Sequence, residues 1–412
     1  MNIINRNDAN ATSTATAIIT ITNTTDNVTN NIDNTINDYI KNNKDNEHFI
    51  IVDLGDIKRK YYQWNMLLPK ITPYYAIKCN PNNKIISLLH SLGCHFDAAS
   101  KNEIVRLLEL NIEPSKIIYA NPCKSVDYIK FSRTNDINLL VIDCPNELYK
   151  IKSYHPEANV IIRIKTDDSK SICKFNSKFG VNMNEVKSIL ELSIIMNIKI
   201  CGVSFHVGSG CQDENVYKTA ISNCRSVFDI AKDLNIKMNI VDIGGGFPGN
   251  NYNKFENIAT IINRSIDEFF KDEPAISFIA EPGRYFVASS HTLVCSIINK
   301  KELFDEHTNE ITYIYYISDG VYGSFSGMLF DYAKYDIIPF TNNNNNNNNK
   351  TFSSIVFGPT CDSLDIISNN CQLPSLSIGE KVIIRDIGAY SVASSTEFNG
   401  FTRPDIHYIM TC

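Results

Sequence analysis

Between residues 72 and 284 the chain alternates short apolar, β-rich runs with longer helix-like stretches, and that alternation leaves few folds open. The runs fall at 72–80, 95–100, 117–121, 139–144, 159–165, 200–208, 238–246 and 275–284. Helical patterns such as 102–110, 184–196 and 214–234 stand between them. Strand–helix alternation implies a parallel sheet. An open doubly wound sheet produces the same pattern, but about eight repeats over this length predict an α/β fold of the (β/α)8, TIM-like barrel type. Beyond about residue 290 the runs at 311–317, 353–357 and 381–386 lack long helices between them, and Gly and Pro punctuate them. That reads as a second, mostly antiparallel β domain. The predicted division is an Asn/Thr-rich leader over 1–45, a barrel over 46–289 and a C-terminal β domain over 290–412. The leader reads as weakly ordered, with one possible strand at 14–22 that could join the second domain. The unbroken Asn run at 342–349 has nothing to bury and reads as a surface loop.

Composition narrows the function. A net charge of −6 argues against nucleic acid as the main partner, since phosphate binding needs a positive surface. Twelve cysteines are scattered without paired C-x-x-C motifs, so no metal site is expected and reduced thiols in the cytoplasm are. No apolar run is long enough to span a membrane, and the first residues do not read as a secretory signal.

The run Tyr74-Tyr75-Ala76-Ile77-Lys78-Cys79-Asn80 reads as a buried strand that ends in a lysine. A lysine there either reaches out to water or sits in a dry pocket, where it can form a Schiff base with an aldehyde. The other strand ends tilt the choice, because a barrel builds its site at the C-terminal ends of its strands. There stand Asp97, Ser100, Asn121, Asp143, Arg163, His206, Ser209, Gly244-Gly245-Gly246, Glu281 and Arg284. The glycine triplet follows the seventh strand, where backbone N–H groups can converge on a phosphate, although tight turns use glycine as well. A carboxylate such as Glu281 can hold a pyridinium nitrogen protonated, and Arg284 can pair with a phosphate; an internal Glu–Arg pair is the plainer reading. His206 can stack on a ring or shuttle a proton, or simply be hydrogen-bonded. A lysine for an aldehyde, a glycine loop for a phosphate, a carboxylate for a ring nitrogen and a flat side chain for a ring face together describe pyridoxal 5'-phosphate.

The motifs YYAIKCN, HFDAAS, RIKTDDS, SFHVGSG, DIGGGFPG, AEPGR, FGPTCDSLD and FNGF occur in that order. On them the chain, from about Phe49 to Tyr408, resembles the eukaryotic ornithine decarboxylases among the barrel-type pyridoxal-phosphate decarboxylases. The resemblance implies a Schiff-base lysine at Lys78, with His206 on the ring face and Glu281 at its nitrogen. It also implies a phosphate site of Ser209, Gly244, Gly245, Gly246, Arg284 and Tyr390, supported by Asp97 and Arg163. It further implies a homodimer with shared active sites. Cys361 and Asp362 would enter from the partner, Cys361 serving protonation at Cα. Asp331 and Asp362 would receive the far ammonium of a diamino acid, with Phe398 as a wall, and Lys178–Asp365 and Asp143–Lys301 would pair across the interface. The implied reaction is decarboxylation of ornithine to putrescine in the cytoplasm, the first step of polyamine synthesis. Lysine, arginine or diaminopimelate are the alternative substrates, and a non-catalytic, antizyme-inhibitor-like binding protein is the alternative from another class. An antizyme-like regulator is a possible partner, but the further tail of animal relatives does not follow Cys412, which puts the animal mode of turnover in doubt.

Overall fold

A computed structural model describes residues 29, 31–43, 46–175, 177–273, 275–340 and 350–412. The possible strand at 14–22 and the Asn run at 342–349 lie outside the described residues. Eight parallel strands close into a barrel: β2 (Ile71–Ala76), β3 (His95–Ala98), β4 (Ile117–Tyr119), β5 (Leu139–Ile142), β6 (Asn159–Arg163), β7 (Lys199–Ser204), β8 (Ile240–Asp242) and β9 (Ser277–Ala280). Each pairs with the next, and β2 returns to β9 through Ile71 opposite Phe278. The predicted barrel is therefore present, with its eight strands where the apolar runs fall.

Side-chain alternation explains the interior. Tyr74, Ile118, Val141, Ile161, Cys201 and Ile279 form one cluster of their own, joined by Ile240. Their chain neighbours Tyr75, Ile117, Tyr119, Leu140 and Ile162 belong to the main core beneath the helices. Period two thus divides each strand between a plug inside the barrel and a layer outside it. Two residues beyond a plug residue, the side chain points inward again, now at the barrel mouth. Arg163 follows Ile161 in this way, Asp242 follows Ile240 and Glu281 follows Ile279.

The second domain is a mixed sheet in the order β12-β15-β10-β11-β13-β14. Its strands are β10 (His291–Asp305), β11 (Glu310–Ile317), β12 (Ile338–Phe340), β13 (Phe352–Phe357), β14 (Ile366–Leu373), β15 (Lys381–Ile384) and β16 (Asp405–Ile409). Among these strands only β11–β13 is a parallel pair; β10–β11, β10–β15, β12–β15 and β13–β14 are antiparallel. Strand β1 (His48–Asp53), the earliest described strand, pairs with β10 and β16, so it belongs to this sheet and not to the barrel. A helix over 31–42 covers the same sheet, placing Ile32 and Ile36 on Phe49, Ile51, Val294 and Ile383.

The loop after β15 returns to the barrel mouth. The Tyr390 N–H donates to Cys79 O at 3.0 Å, and Asn80 Nδ2 donates to Gly388 O at 3.0 Å. Both contacts sit beside Lys78. Tyr390 takes a left-handed backbone, φ 53°, to make its contact. A bulky side chain rarely adopts that conformation, at a cost of about 1–3 kcal/mol.

Candidate active site

A cavity of about 370 Å³ opens at the C-terminal ends of the barrel strands. Of the predicted residues, Lys78, Arg163, His206, Ser209, Gly245, Gly246, Glu281, Arg284, Asp331 and Tyr390 line it. Asp97 lies behind Lys78, and Gly244 lies behind its glycine neighbours.

Lys78 occupies a single helical turn, Ile77–Cys79, directly after β2. Its Nζ donates to Asp97 Oδ2 at 2.7 Å, and the Asp97 side chain is fully buried. Burial disfavours the ammonium, but the acidic groups facing it, the Asp97 carboxylate foremost, outweigh it and raise the pKa of Lys78. The lysine therefore rests charged against Asp97.

On the next wall stand two buried acids. Burial, then repulsion by Asp242 and Asp97, holds Glu281 protonated well above the ordinary carboxyl range. Asp242 is likewise pushed up, to about 7, chiefly by burial, although Oδ1 accepts the Gly244 N–H at 2.9 Å. A hydrogen bond joins the two carboxyls, so they hold a proton between them at neutral pH. Arg163 faces both acids, its guanidinium 5.2 Å from the Phe179 ring. Asp242 was not among the predicted site residues. Its position two residues beyond an interior plug was the signal that could have found it.

His206 is neutral. Burial lowers its pKa well below 6.5, and Arg163 and Lys78 add to the effect. Its Nδ1 accepts the Gly208 N–H at 3.0 Å, which leaves the proton on Nε2. Phe175 meets the ring edge-on at 4.9 Å. A Cβ on Gly245 would stand 2.8 Å from His206 Nε2, so only glycine allows the loop to pass the ring this closely. Gly244 and Gly246 take positive φ of 62° and 101°.

Arg284 brings the far end together. Its Nη2 lies 2.6 and 2.7 Å from the two Asp331 oxygens and 3.0 Å from Ser209 Oγ, with Cζ 5.2 Å from the Tyr390 ring. In this chain the Asp331 carboxylate is thus paired with Arg284, where the sequence suggested a partner for a substrate ammonium. Cys173, Phe175 and Phe179, from the segment after β6, also line the cavity and were not predicted.

Cys361, Asp362 and Phe398 are not brought to this cavity by their own chain. They form a separate, exposed group: Asp362 accepts from the Tyr322 hydroxyl, Phe398 stacks on Tyr322 at 4.4 Å, and Cys361 N–H donates to Asn399 Oδ1 at 3.0 Å. Asp365, expected to pair with Lys178 of another subunit, is buried and accepts from Val321 N, Thr360 N and Thr360 Oγ1 of its own chain. Asp143 accepts the Gly180 N–H at 3.0 Å.

The geometry has a counterpart among known proteins. Residues 54–288 match the family described as pyridoxal-dependent decarboxylase, pyridoxal binding domain. The chain belongs to the pyridoxal-dependent decarboxylases. Ornithine decarboxylase of Rattus norvegicus is 42% identical over 382 residues, 90% of this chain and 82% of the rat protein. Antizyme inhibitor 2 of Xenopus laevis is 40% identical, over 90% of this chain and 83% of its own. Among solved structures, the arginine decarboxylase of Paramecium bursaria Chlorella virus superposes with a TM-score of 0.86 at 31% identity, covering 92% of this chain and all of the viral one.

The residues present fit pyridoxal phosphate. Converging glycines that no Cβ could replace, with Ser209 and Arg284, suit a phosphate. The Asp242–Glu281 pair suits a basic ring nitrogen, and Lys78 an aldehyde.

Proposed function

We propose that this chain decarboxylates L-ornithine to putrescine and carbon dioxide with pyridoxal phosphate. The observation that carries the reading is the pairing, in one cavity, of a charged lysine on Asp97 with a buried, proton-holding Asp242–Glu281 pair. Lys78 would hold the cofactor's aldehyde, His206 its ring face, Glu281 its ring nitrogen, and Ser209, Gly245, Gly246, Arg284 and Tyr390 its phosphate. When bound, the cofactor supplies an electron sink for the pair left behind when carbon dioxide departs.

The chain's own residues do the rest. Asp97 Oδ2 accepts the hydrogen bond from Lys78 Nζ and so fixes where the amine stands at the barrel mouth. Glu281 keeps its proton at the carboxyl, and Asp242, backed by the Gly244 N–H and Arg163, keeps the pair to one net charge. Neutral His206 adds no charge to the wall it forms. Asp331 and Asp362 would receive the far ammonium of the substrate, and Cys361 would deliver a proton to Cα.

The active unit is proposed to be a homodimer with shared sites. Cys361, Asp362 and Phe398 do not line the cavity of their own chain, and the large apolar side chains Leu364, Phe330 and Tyr332 are exposed. A partner chain would bring the first three to the neighbouring cavity. Cytoplasmic residence is proposed from twelve free cysteines. Among the described residues no helix is long and apolar enough to cross a membrane. An antizyme-like regulator remains a proposed partner.

The test is to incubate purified protein and pyridoxal phosphate separately with ornithine, lysine and arginine, and to identify the amine by mass spectrometry. Putrescine should dominate. Cadaverine or agmatine in excess would sink the substrate assignment. Bound cofactor with no amine at all would favour a binding protein.

A further inference from the structure

The cavity's phosphate end is built from two backbone segments, the loop 244–249 and the short helix Arg284–Val287. Neither is part of a strand ladder, and both must keep their positions for a phosphate to be gripped. Outside the cavity, on the helix Leu54–Leu67, Lys60 reaches both of them. Its Nζ donates to Gly249 O, the last carbonyl of the loop, and to Tyr285 O at 2.8 Å, the carbonyl next to Arg284. The two segments are in direct contact there: a Cβ on Gly249 would stand 2.4 Å from Arg284 O and 2.5 Å from Ala288 Cβ. Tyr285 grips the lysine in return, its hydroxyl 2.9 Å from Lys60 O and its ring centroid 5.6 Å from Nζ.

A buried ammonium is costly to keep. Burial lowers the pKa of Lys60, while Asp56 and Asp386 act in the opposite direction. An apolar side chain of the same length would fill the space without that cost but would leave two carbonyls without a donor.

We propose that Lys60 is a positioning residue for the phosphate end of the cofactor site, tying the glycine loop to the Arg284 helix from behind. This rests on the pyridoxal-phosphate reading above. Lys60 does not line the cavity, so its effect is transmitted through Gly249 and Tyr285.

The discriminating experiment compares pyridoxal phosphate with pyridoxal, which has the aldehyde and ring but no phosphate. Cofactor-free wild-type protein, Lys60→Met and Lys60→Arg are titrated with each, and binding is followed by visible absorbance. The proposal expects Lys60→Met to weaken pyridoxal phosphate roughly tenfold while pyridoxal changes less than about twofold. Lys60→Arg, which keeps the donors, should restore most of the difference. Gly249→Ala, which drives the loop off the Arg284 helix and leaves Lys60 in place, should lower the same ratio, and it decides the matter if Lys60→Met does not fold. Equal losses for both ligands, or none for either, would overturn the proposal. Wild-type protein that binds neither ligand would instead overturn the cofactor reading.

Discussion

Replacing Asp97 by Asn should move the titration of Lys78 downward by about two pH units. The two groups are 2.7 Å apart, and the Asp97 side chain is fully buried. At an effective dielectric of about 20, unit charges at that separation attract by about 6 kcal/mol. The Lys78 side chain is 40% exposed, on the cavity side. Screening by that solvent removes roughly half of the attraction and leaves about 3 kcal/mol, or two pKa units. The sign follows from the loss of a carboxylate that favours the ammonium; burial, which opposes it, remains. The assay is competitive acetylation of the cofactor-free protein between pH 7 and 11, with the Lys78 peptide quantified by mass spectrometry. Wild-type Lys78 should resist labelling until well above the ordinary lysine range, and the variant's labelling should shift about two pH units lower. Lys70, exposed and paired with Asp267 away from the cavity, serves as the internal labelling standard. A Lys78 midpoint that stays put or rises in the variant would refute the electrostatic account of why this lysine rests charged.

Further expectations follow from the same contacts. Asp242 and Glu281 are acids whose folded-state pKa stands above the unfolded value of about 4, so the folded chain keeps protons that the unfolded chain has lost. Their stabilising contribution is complete below that value and is lost as pH rises through about 7 for Asp242. Urea midpoints of cofactor-free wild-type and Asp242→Asn protein should therefore diverge in favour of the variant from pH 5 to 8; parallel curves would contradict the shared-proton picture. Lys124 is buried among carbonyls, with Nζ 3.1 Å from Glu147 Oε2 and side-chain exposures of 0% and 4%. Lys124→Met should cost about 3 kcal/mol in urea unfolding, because it removes the ammonium that faces the buried Glu147 Oε2 and leaves Lys150 on Oε1, and Lys124→Met with Glu147→Leu should recover most of it. If sites are shared, mixing Lys78→Ala with Cys361→Ala protein should restore about a quarter of wild-type turnover, since half of the dimers then hold one intact site; activity no higher than either parent would argue that each chain completes its own.

How much of this was readable beforehand depends on the kind of signal. The barrel and its mouth follow from period two and strand count, which are local properties of the chain. Lys78, Arg163, His206, Glu281 and Arg284 could be placed because each ends a recognisable strand run. Asp242 obeyed the same rule but was overshadowed by the glycines beside it. Phe175 and Phe179 belong to an irregular segment with no period to read, and Lys60 lies on a helix whose partner carbonyls are nearly 190 and 225 residues away in sequence. The helix over 31–42 was hidden because Asn and Thr have low helix propensity; what holds it is tertiary packing of Ile32 and Ile36 on the sheet. The pairing of Asp331 with Arg284 is a choice between two partners for one carboxylate, and no sequence pattern expresses such a choice.

Strand β1 has a consequence for how the chain is made. It lies parallel to β16, with Phe49 opposite Asp405 and Asp53 opposite Ile409. A ribosome delivers β1 first and β16 last, with the whole barrel between them. The barrel strands can pair as they emerge, but β1 must wait for both of its neighbours. The loop that carries Tyr390 to the side of Lys78 is delivered just before β16. The nascent barrel thus already carries Lys78, His206 and Glu281 at its mouth before Tyr390 is brought beside them, and the second sheet closes only when β1 and β16 are laid side by side.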